Sequence, residues 1–160
     1  MKLLTTNYPL QTKKGFGIIE IIIVIAVLAG AMFAFAQMAA ISLKALREEK
    51  KSLEAVYLAQ ETIEAVRAVR DAGWADISSL TAGGDYYPQI SGSAWVLNSG
   101  VGTVGEYSRK VVVDNVSRDA NDDIENVYNP ANDDTNTKKL IATVSWDSKS
   151  IILMTYITNF

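Results

Sequence analysis

The sequence predicts an α+β protein in which a long amino-terminal helix packs on a small antiparallel sheet. Residues 21–41 form an uncharged apolar run of about 21 residues, long enough to cross a membrane as a helix. An amphipathic helical segment follows this run. Residues 107–158 instead contain stretches of β-favouring side chains separated by polar turns. An apolar helix stripe and a sheet with one apolar face can bury each other.

Composition excludes several classes of functional site. The 160-residue chain contains no cysteine and no histidine, so it cannot supply a disulfide framework, a thiolate metal site or a serine–histidine or cysteine–histidine catalytic pair. The net charge is −3, and no basic patch stands out, which disfavours nucleic-acid binding. We therefore expect no enzyme, no cofactor and no direct contact with nucleic acid.

A short polar segment precedes the apolar run and contains Lys13 and Lys14 near its end. An ordinary secretory signal is instead cleaved after its apolar region. Because positive residues stay on the cytoplasmic side, the carboxy-terminal part is expected outside. The predicted organisation is a leader peptide at residues 1–15, a transmembrane and assembly helix at 16–43 and a globular domain at 44–160.

The run KKGFGIIE at residues 13–20 resembles the amino-terminal motif of type IV prepilins and pseudopilins. The resemblance implies that a prepilin peptidase cuts between Gly15 and Phe16. It also implies that Phe16 is then N-methylated and that Glu20 occupies the fifth mature position. Loss of residues 1–15 would remove three lysines and so change the net side-chain charge from −3 to −6.

Glu20 is the informative residue of this motif, because a carboxylate within an apolar membrane helix costs about 3 kcal/mol unless a partner neutralises it. The resemblance implies a partner, namely the terminal amine of a neighbouring subunit, which is exposed only after cleavage. Such a pair would set the register between subunits, as single buried polar groups do in coiled coils. The alternative is a plain single-pass anchor in which Glu20 lies among lipid headgroups.

Small residues recur within the apolar run, among them Ala26, Gly30 and Ala34. Small side chains let membrane helices approach closely, so these positions are expected assembly contacts. Alanine is also a common helix former, which leaves the role of any single alanine open. Gly30 is in addition a point at which the helix could loosen.

The helix is predicted to continue to Asp71 and to end at Gly73 with a left-handed cap, after which Trp74 packs back on it. Its second half carries an apolar stripe that is expected to dock on the sheet. The members of the stripe are Leu46, Leu53, Val56, Ala59, Ile63 and Val66. The alternative, a free coiled coil, would need a longer heptad pattern.

Three antiparallel strands are predicted at residues 107–116, 140–146 and 151–158, with a shorter strand at 95–98 among glycine-rich and serine-rich turns. Residues 147–150 are short enough to join the last two strands as a hairpin. Even-numbered residues of the 140–146 strand are expected to form its buried face.

An acidic loop lies between the first two of these strands. Asp119, Asn121 and Asp123 begin with the spacing of an EF-hand, but Ile124 and Pro130 occupy positions that require glycine and glutamate. We reject an EF-hand and keep the three residues as weak candidates for calcium. The simpler interpretation is a solvated loop whose aspartates and asparagines make turns.

The resemblance implies a structural subunit of a type IV pilus or a related filament. Residues 59–74 resemble, less specifically, the projecting helix of some minor pilins, and the absence of cysteine removes the disulfide-closed loop of many major pilins. A type II secretion pseudopilin or a competence pilin is an alternative. A monomeric membrane-anchored binding module is an alternative of another class.

The expected partners are the prepilin peptidase, other pilin subunits, the inner-membrane assembly machinery and, before assembly, membrane lipid. The protein is expected first in the cytoplasmic (inner) membrane with its carboxyl terminus outside. It would then become part of a periplasmic or cell-surface filament.

Overall fold

The computed structural model describes Gly15 and residues 17–159, which form an α+β protein. The long helix α1 (Ile18–Ala72) is followed by a short helix, α2 (Trp74–Ser78). The chain divides between Leu46 and Arg47 into two compact units. The first consists of the amino-terminal part of α1, and the second contains the rest of α1, α2 and the sheet.

The sheet of the second unit is antiparallel. Its strands are β1 (Asp85–Ser91), β2 (Ala94–Ser99), β3 (Gly102–Val104), β4 (Tyr107–Ser117), β5 (Asp133–Trp146) and β6 (Lys149–Thr158), and a 3₁₀ turn, Pro130–Asn132, precedes β5. Their order in space is β2-β1-β4-β5-β6, with β3 also paired to β4. The three main strands and the short strand at residues 95–98 are confirmed, whereas β1 and β3 were not predicted.

The carboxy-terminal part of α1 packs on one face of this sheet. The main core consists of buried aliphatic residues from both helices and from β4, β5 and β6: Ile63, Val66, Val69, Ile77, Val111, Val113, Leu140, Ala142 and Ile157. The predicted alternation in β5 is confirmed, because its even-numbered residues Leu140, Ala142 and Val144 are fully buried. The fold therefore joins an apolar helix face to a one-sided sheet.

The docking stripe on α1 differs from the predicted one at its amino-terminal end. Ala59, Ile63 and Val66 are buried as predicted, but Leu46 is 61% exposed and Leu53 is 53% exposed. The buried face begins at Ala55 instead. Two helical residues correspond to a rotation of about 200°, which places Leu53 on the face opposite Ala55. A small side chain at position 55 also lets the sheet approach the helix closely.

The end of α1 is confirmed at Ala72, but the predicted left-handed cap is wrong. Gly73 has φ 176° and ψ 122°, an extended conformation that any residue can adopt. Its N–H donates to the carbonyl of Val69 at 3.1 Å. The chain needs no left-handed residue because α2 begins at once, and Trp74 packs against the main core as expected.

The predicted β5–β6 hairpin is confirmed, and its turn has two residues. Asp147 has φ 41° and Ser148 has φ 64°, the left-handed pair that suits the twist of a tight hairpin. Lys149 lies opposite Trp146 and therefore belongs to β6. The long β5–β6 ladder forms one side of the sheet.

Candidate functional site

The first unit presents apolar side chains on every side of α1. Each residue from 18 to 46 is exposed, and an 18-residue window of this helix has a mean hydropathy of 2.8. By length and composition the helix could span a membrane. Because its apolar surface is not covered by the described part of the chain, it needs an apolar environment from lipid or from other protein chains.

Glu20 lies in the first turn of α1. The helix starts directly after Gly17, whose carbonyl accepts hydrogen bonds from the N–H groups of Glu20 at 3.0 Å and Ile21 at 3.3 Å. Glu20 borders a shallow groove of about 230 Å³ together with Ile21, Val24 and Ile25. No other described residue pairs with it. Glu20 thus places an unpartnered acid at the edge of an apolar surface.

The predicted cleavage site is only partly within the described residues. Gly15 is exposed, as a peptidase substrate requires. Phe16, the residue expected to be N-methylated, lies outside the described residues, as do Lys13 and Lys14. Cleavage and methylation therefore remain predictions from the motif.

Ala26, Gly30 and Ala34 lie four residues apart and share one exposed face of α1. The helix runs through Gly30 without interruption, so the predicted loosening at this residue is wrong. A Cβ atom added to Gly30 would meet no atom within 4 Å. The fold of the single chain therefore does not require a glycine there, and contact with another helix would be a separate reason for it.

Asp119 organises the acidic loop through backbone hydrogen bonds. One of its carboxylate oxygens, Oδ1, accepts from the N–H groups of Asn121 at 2.9 Å and Asp123 at 3.0 Å. These bonds, that from Asp123 foremost, lower the pKa of Asp119. Among the described residues no group of three or more potential ligands could hold a metal ion. The EF-hand-like spacing is accounted for by a turn, in which Asp122 has φ 69°.

Arg118 fixes the same loop and was not singled out from the sequence. Its Nε donates to Asp134 Oδ2 at 2.6 Å, and its Nη1 donates to the carbonyl of Asp122 at 2.7 Å. The bond from Arg118 Nε lowers the pKa of Asp134. The available sequence signal was an isolated arginine at the start of a long acidic stretch.

A second charged cluster ties α1 to two turns of the sheet. Lys51 Nζ donates to Glu106 Oε2 and to Asp147 Oδ2, each at 2.7 Å, while Lys149 pairs with Glu48. The bond from Lys51 lowers the pKa of Asp147. The partners of Lys51 are 55 and 96 residues away, so no local pattern could have predicted them. These ion pairs connect α1 to the turns before β4 and before β6.

A scan against protein-family models and searches of curated proteins and of solved structures find no match to this chain. The candidate site is therefore defined by the chain's own residues. It consists of the exposed apolar part of α1 and the carboxylate of Glu20 in its first turn, which has no partner among the described residues.

Proposed function

We propose that the protein is a structural subunit, of the minor-pilin type, in a type IV pilus or a related filament. A prepilin peptidase cuts it after Gly15, and the new terminal residue, Phe16, is N-methylated. The apolar part of α1 then packs with the same segment of other subunits. The observation that carries the proposal is the carboxylate of Glu20, which no described residue pairs, on a helix whose apolar residues are exposed on all sides.

The exposed helix has two successive environments in this proposal. Before assembly lipid surrounds it, and in the filament other helices replace the lipid. Neither environment contains water, so the packing of helices there depends on close contact between them. Close contact favours small residues such as Ala26, Gly30 and Ala34. A helix that served only as an anchor would gain nothing from these features or from an acid in its first turn.

The carboxylate of Glu20 determines how adjacent subunits align along the filament. In an apolar filament core it would be strongly destabilised alone, and the protonated amine of a neighbouring Phe16 would neutralise it. That amine exists only after the bond between Gly15 and Phe16 has been cut. Assembly would therefore depend on maturation, and one ion pair would fix the axial register of adjacent subunits.

The orientation follows from the charges that flank the helix. Lys13 and Lys14 stay in the cytoplasm, so the α+β unit lies outside the inner membrane and then on the filament surface. The prepilin peptidase, other pilin subunits, the inner-membrane assembly machinery and lipid are the partners. We assign the protein no catalytic role. A secretion pseudopilin or a competence pilin would share this maturation and packing.

A Glu20→Ala variant tests the role of the carboxylate. We expect it to insert into the membrane normally, but its content in purified filaments should fall at least roughly tenfold, the equivalent of about 1.4 kcal/mol. Glu49→Ala is the matched control, since Glu49 is an exposed acid of the same helix beyond the apolar run. Quantitative mass spectrometry of membranes and filaments gives both values. Normal content of the Glu20 variant would contradict the register mechanism.

A further inference from the structure

A groove of about 500 Å³ lies on the face of the sheet opposite to α1. This volume falls within the range of roughly 300–1,000 Å³ typical of small-molecule sites. Asp114, Lys139 and Tyr156 form one row across β4, β5 and β6 at its floor. Met154 of the next row adds an apolar surface. The loop between β4 and β5 supplies the wall, including Tyr128.

Several polar groups of this groove lack partners. Asp114 and Lys139 lie directly opposite each other on β4 and β5, yet neither side chain forms an ion pair or a hydrogen bond with another described residue, and the same holds for the hydroxyl of Tyr156. Glu125 Oε2 is buried without a partner. An unsatisfied buried polar group costs free energy, so Glu125 Oε2 would gain from a ligand that donates a hydrogen bond. The side chains of Asp114, Lys139 and Tyr156 are not buried, so a ligand can reach them.

Hydrogen bonds within the chain hold the wall of the groove in place. The N–H of Glu125 donates to the carbonyl of Ser117 at 2.9 Å, and the N–H of Asn129 donates to Ser117 Oγ at 2.9 Å. The hydroxyl of Tyr128 donates to Asp133 Oδ1 at 2.9 Å. These bonds lie within the chain itself and fix the loop, which lowers the entropic cost of binding.

We propose that this groove binds a glycan. A sugar ring has an apolar face that can lie on a phenol ring or on a thioether, and its hydroxyls can both donate to carboxylates and accept from an ammonium group. The groove offers this combination through Tyr156, Met154, Asp114 and Lys139. A row across three adjacent strands spans about 10 Å, which suits a short oligosaccharide.

Other ligand classes fit the groove less well. Two acids, Asp114 and Glu125, face a single lysine, so the groove lacks the cluster of cations that phosphate or nucleic acid requires. The row lies on the face of the sheet, and ladders already join its three strands to one another. A peptide therefore cannot add there as a further strand, which is the way that extended peptides bind sheets.

The test is a glycan array, followed by calorimetric titration with the oligosaccharide that binds best. The full chain is kept in a zwitterionic detergent without a sugar headgroup, so that detergent does not occupy the groove. We expect saturable binding. Tyr156→Ala and Asp114→Ala should each weaken it at least roughly tenfold, because each removes direct contacts with the ligand. Tyr156→Phe should lose less, because it keeps the ring.

Tyr57→Ala and Asp76→Ala are the matched controls, since both residues are exposed and lie outside the groove. They should bind like the unmodified chain. Thermal unfolding of all variants shows whether a loss of binding reflects a loss of folding, and Tyr156 lies on the outer sheet face, where substitution spares the core. Absence of binding to every glycan on the array overturns the proposal. Equal affinities of the Tyr156→Ala and Tyr57→Ala variants also overturn it.

Discussion

Leu140 and Leu53 have the same side chain but differ in burial. Leu140 is 0% exposed in the core, whereas Leu53 is 53% exposed on α1. We expect Leu140→Ala to lower the free energy of unfolding by about 3 kcal/mol, through lost burial and a residual cavity. Leu53→Ala should change it by less than about 0.5 kcal/mol. Chemical denaturation of the detergent-solubilised chain compares the two.

The same pair of variants tests the corrected docking stripe. Leu53 belongs to the stripe predicted from helical periodicity, but the structure buries Ala55 and leaves Leu53 exposed. A loss of several kcal/mol in Leu53→Ala would mean that the predicted stripe was right and the observed one wrong.

Ser148 adopts a left-handed conformation with φ 64° in the β5–β6 turn. An L-residue in this conformation loses about 1 kcal/mol relative to glycine. Ser148→Gly is therefore expected to raise the free energy of unfolding by about 1 kcal/mol. Ser150→Gly, in the extended strand β6, should lower it by roughly 0.5–1 kcal/mol, since glycine weakens strands. Thermal or chemical unfolding separates the two, and equal effects would contradict the assigned turn.

At the scale of elements, α1 has two parts with different requirements. Its carboxy-terminal part is stabilised by the sheet, while its amino-terminal part exposes apolar residues that the proposed filament would cover. The fold of the single chain does not require a glycine at position 30, because the space around Gly30 is open. Any requirement for glycine there would come from assembly.

Substitutions at Gly30 test close helix packing in the filament. Gly30→Leu should insert into the membrane normally, since leucine favours helices, but filament content should fall at least roughly tenfold, because the larger side chain separates the helices. Gly30→Ala is the conservative control and should be incorporated nearly as well as the unmodified chain. Normal incorporation of Gly30→Leu, measured on purified filaments, would exclude Gly30 from the packing contacts.

For the whole molecule, ion pairs link stability to pH. Lys51 lowers the pKa of Asp147, Lys149 lowers that of Glu48, and Arg118 lowers that of Asp134. Each folded pKa lies below the unfolded value, so the stabilisation is present at pH values above the ordinary carboxyl range. It is lost as the pH falls through the lowered values.

We therefore expect the unfolding temperature to fall as the pH drops below about 4. Asp134→Ala should unfold at a lower temperature than the unmodified chain at neutral pH, and this difference should shrink towards about pH 2 as the carboxyl becomes protonated. Asp76→Ala, at an exposed acid that has no described partner, is the control and should show no such convergence. A difference for Asp134→Ala that stays constant with pH would exclude the ion pair as its cause.

Much of the architecture was predictable because it depends on local periodicity. The long helix, the main strands and the buried face of β5 follow from spacing alone. β1 was missed because it contains Pro88, which strands rarely tolerate, and β3 because it has only three residues. Glycine in this region indicates turns by composition, but Gly102 lies in β3, where a Cβ would come within 2.6 Å of Tyr87.

The candidate sites also differ in how far a local stretch of sequence can identify them. Glu20 belongs to a contiguous motif, so the sequence alone identifies it as a candidate. The groove formed by Asp114, Lys139 and Tyr156 requires the pairing of three strands, which no single segment specifies. Arg118 also acts across the sequence, through Asp134 on the next strand.

Maturation at the bond between Gly15 and Phe16 is the step on which the proposed function depends, since it creates the amine that pairs with Glu20. Intact-mass and amino-terminal peptide mass spectrometry of the protein from its native membrane measures this step directly. The expected result is a chain that begins at Phe16 and carries one N-methyl group. A chain that still begins at Met1, or one that is cut after the apolar run, would contradict the proposed function.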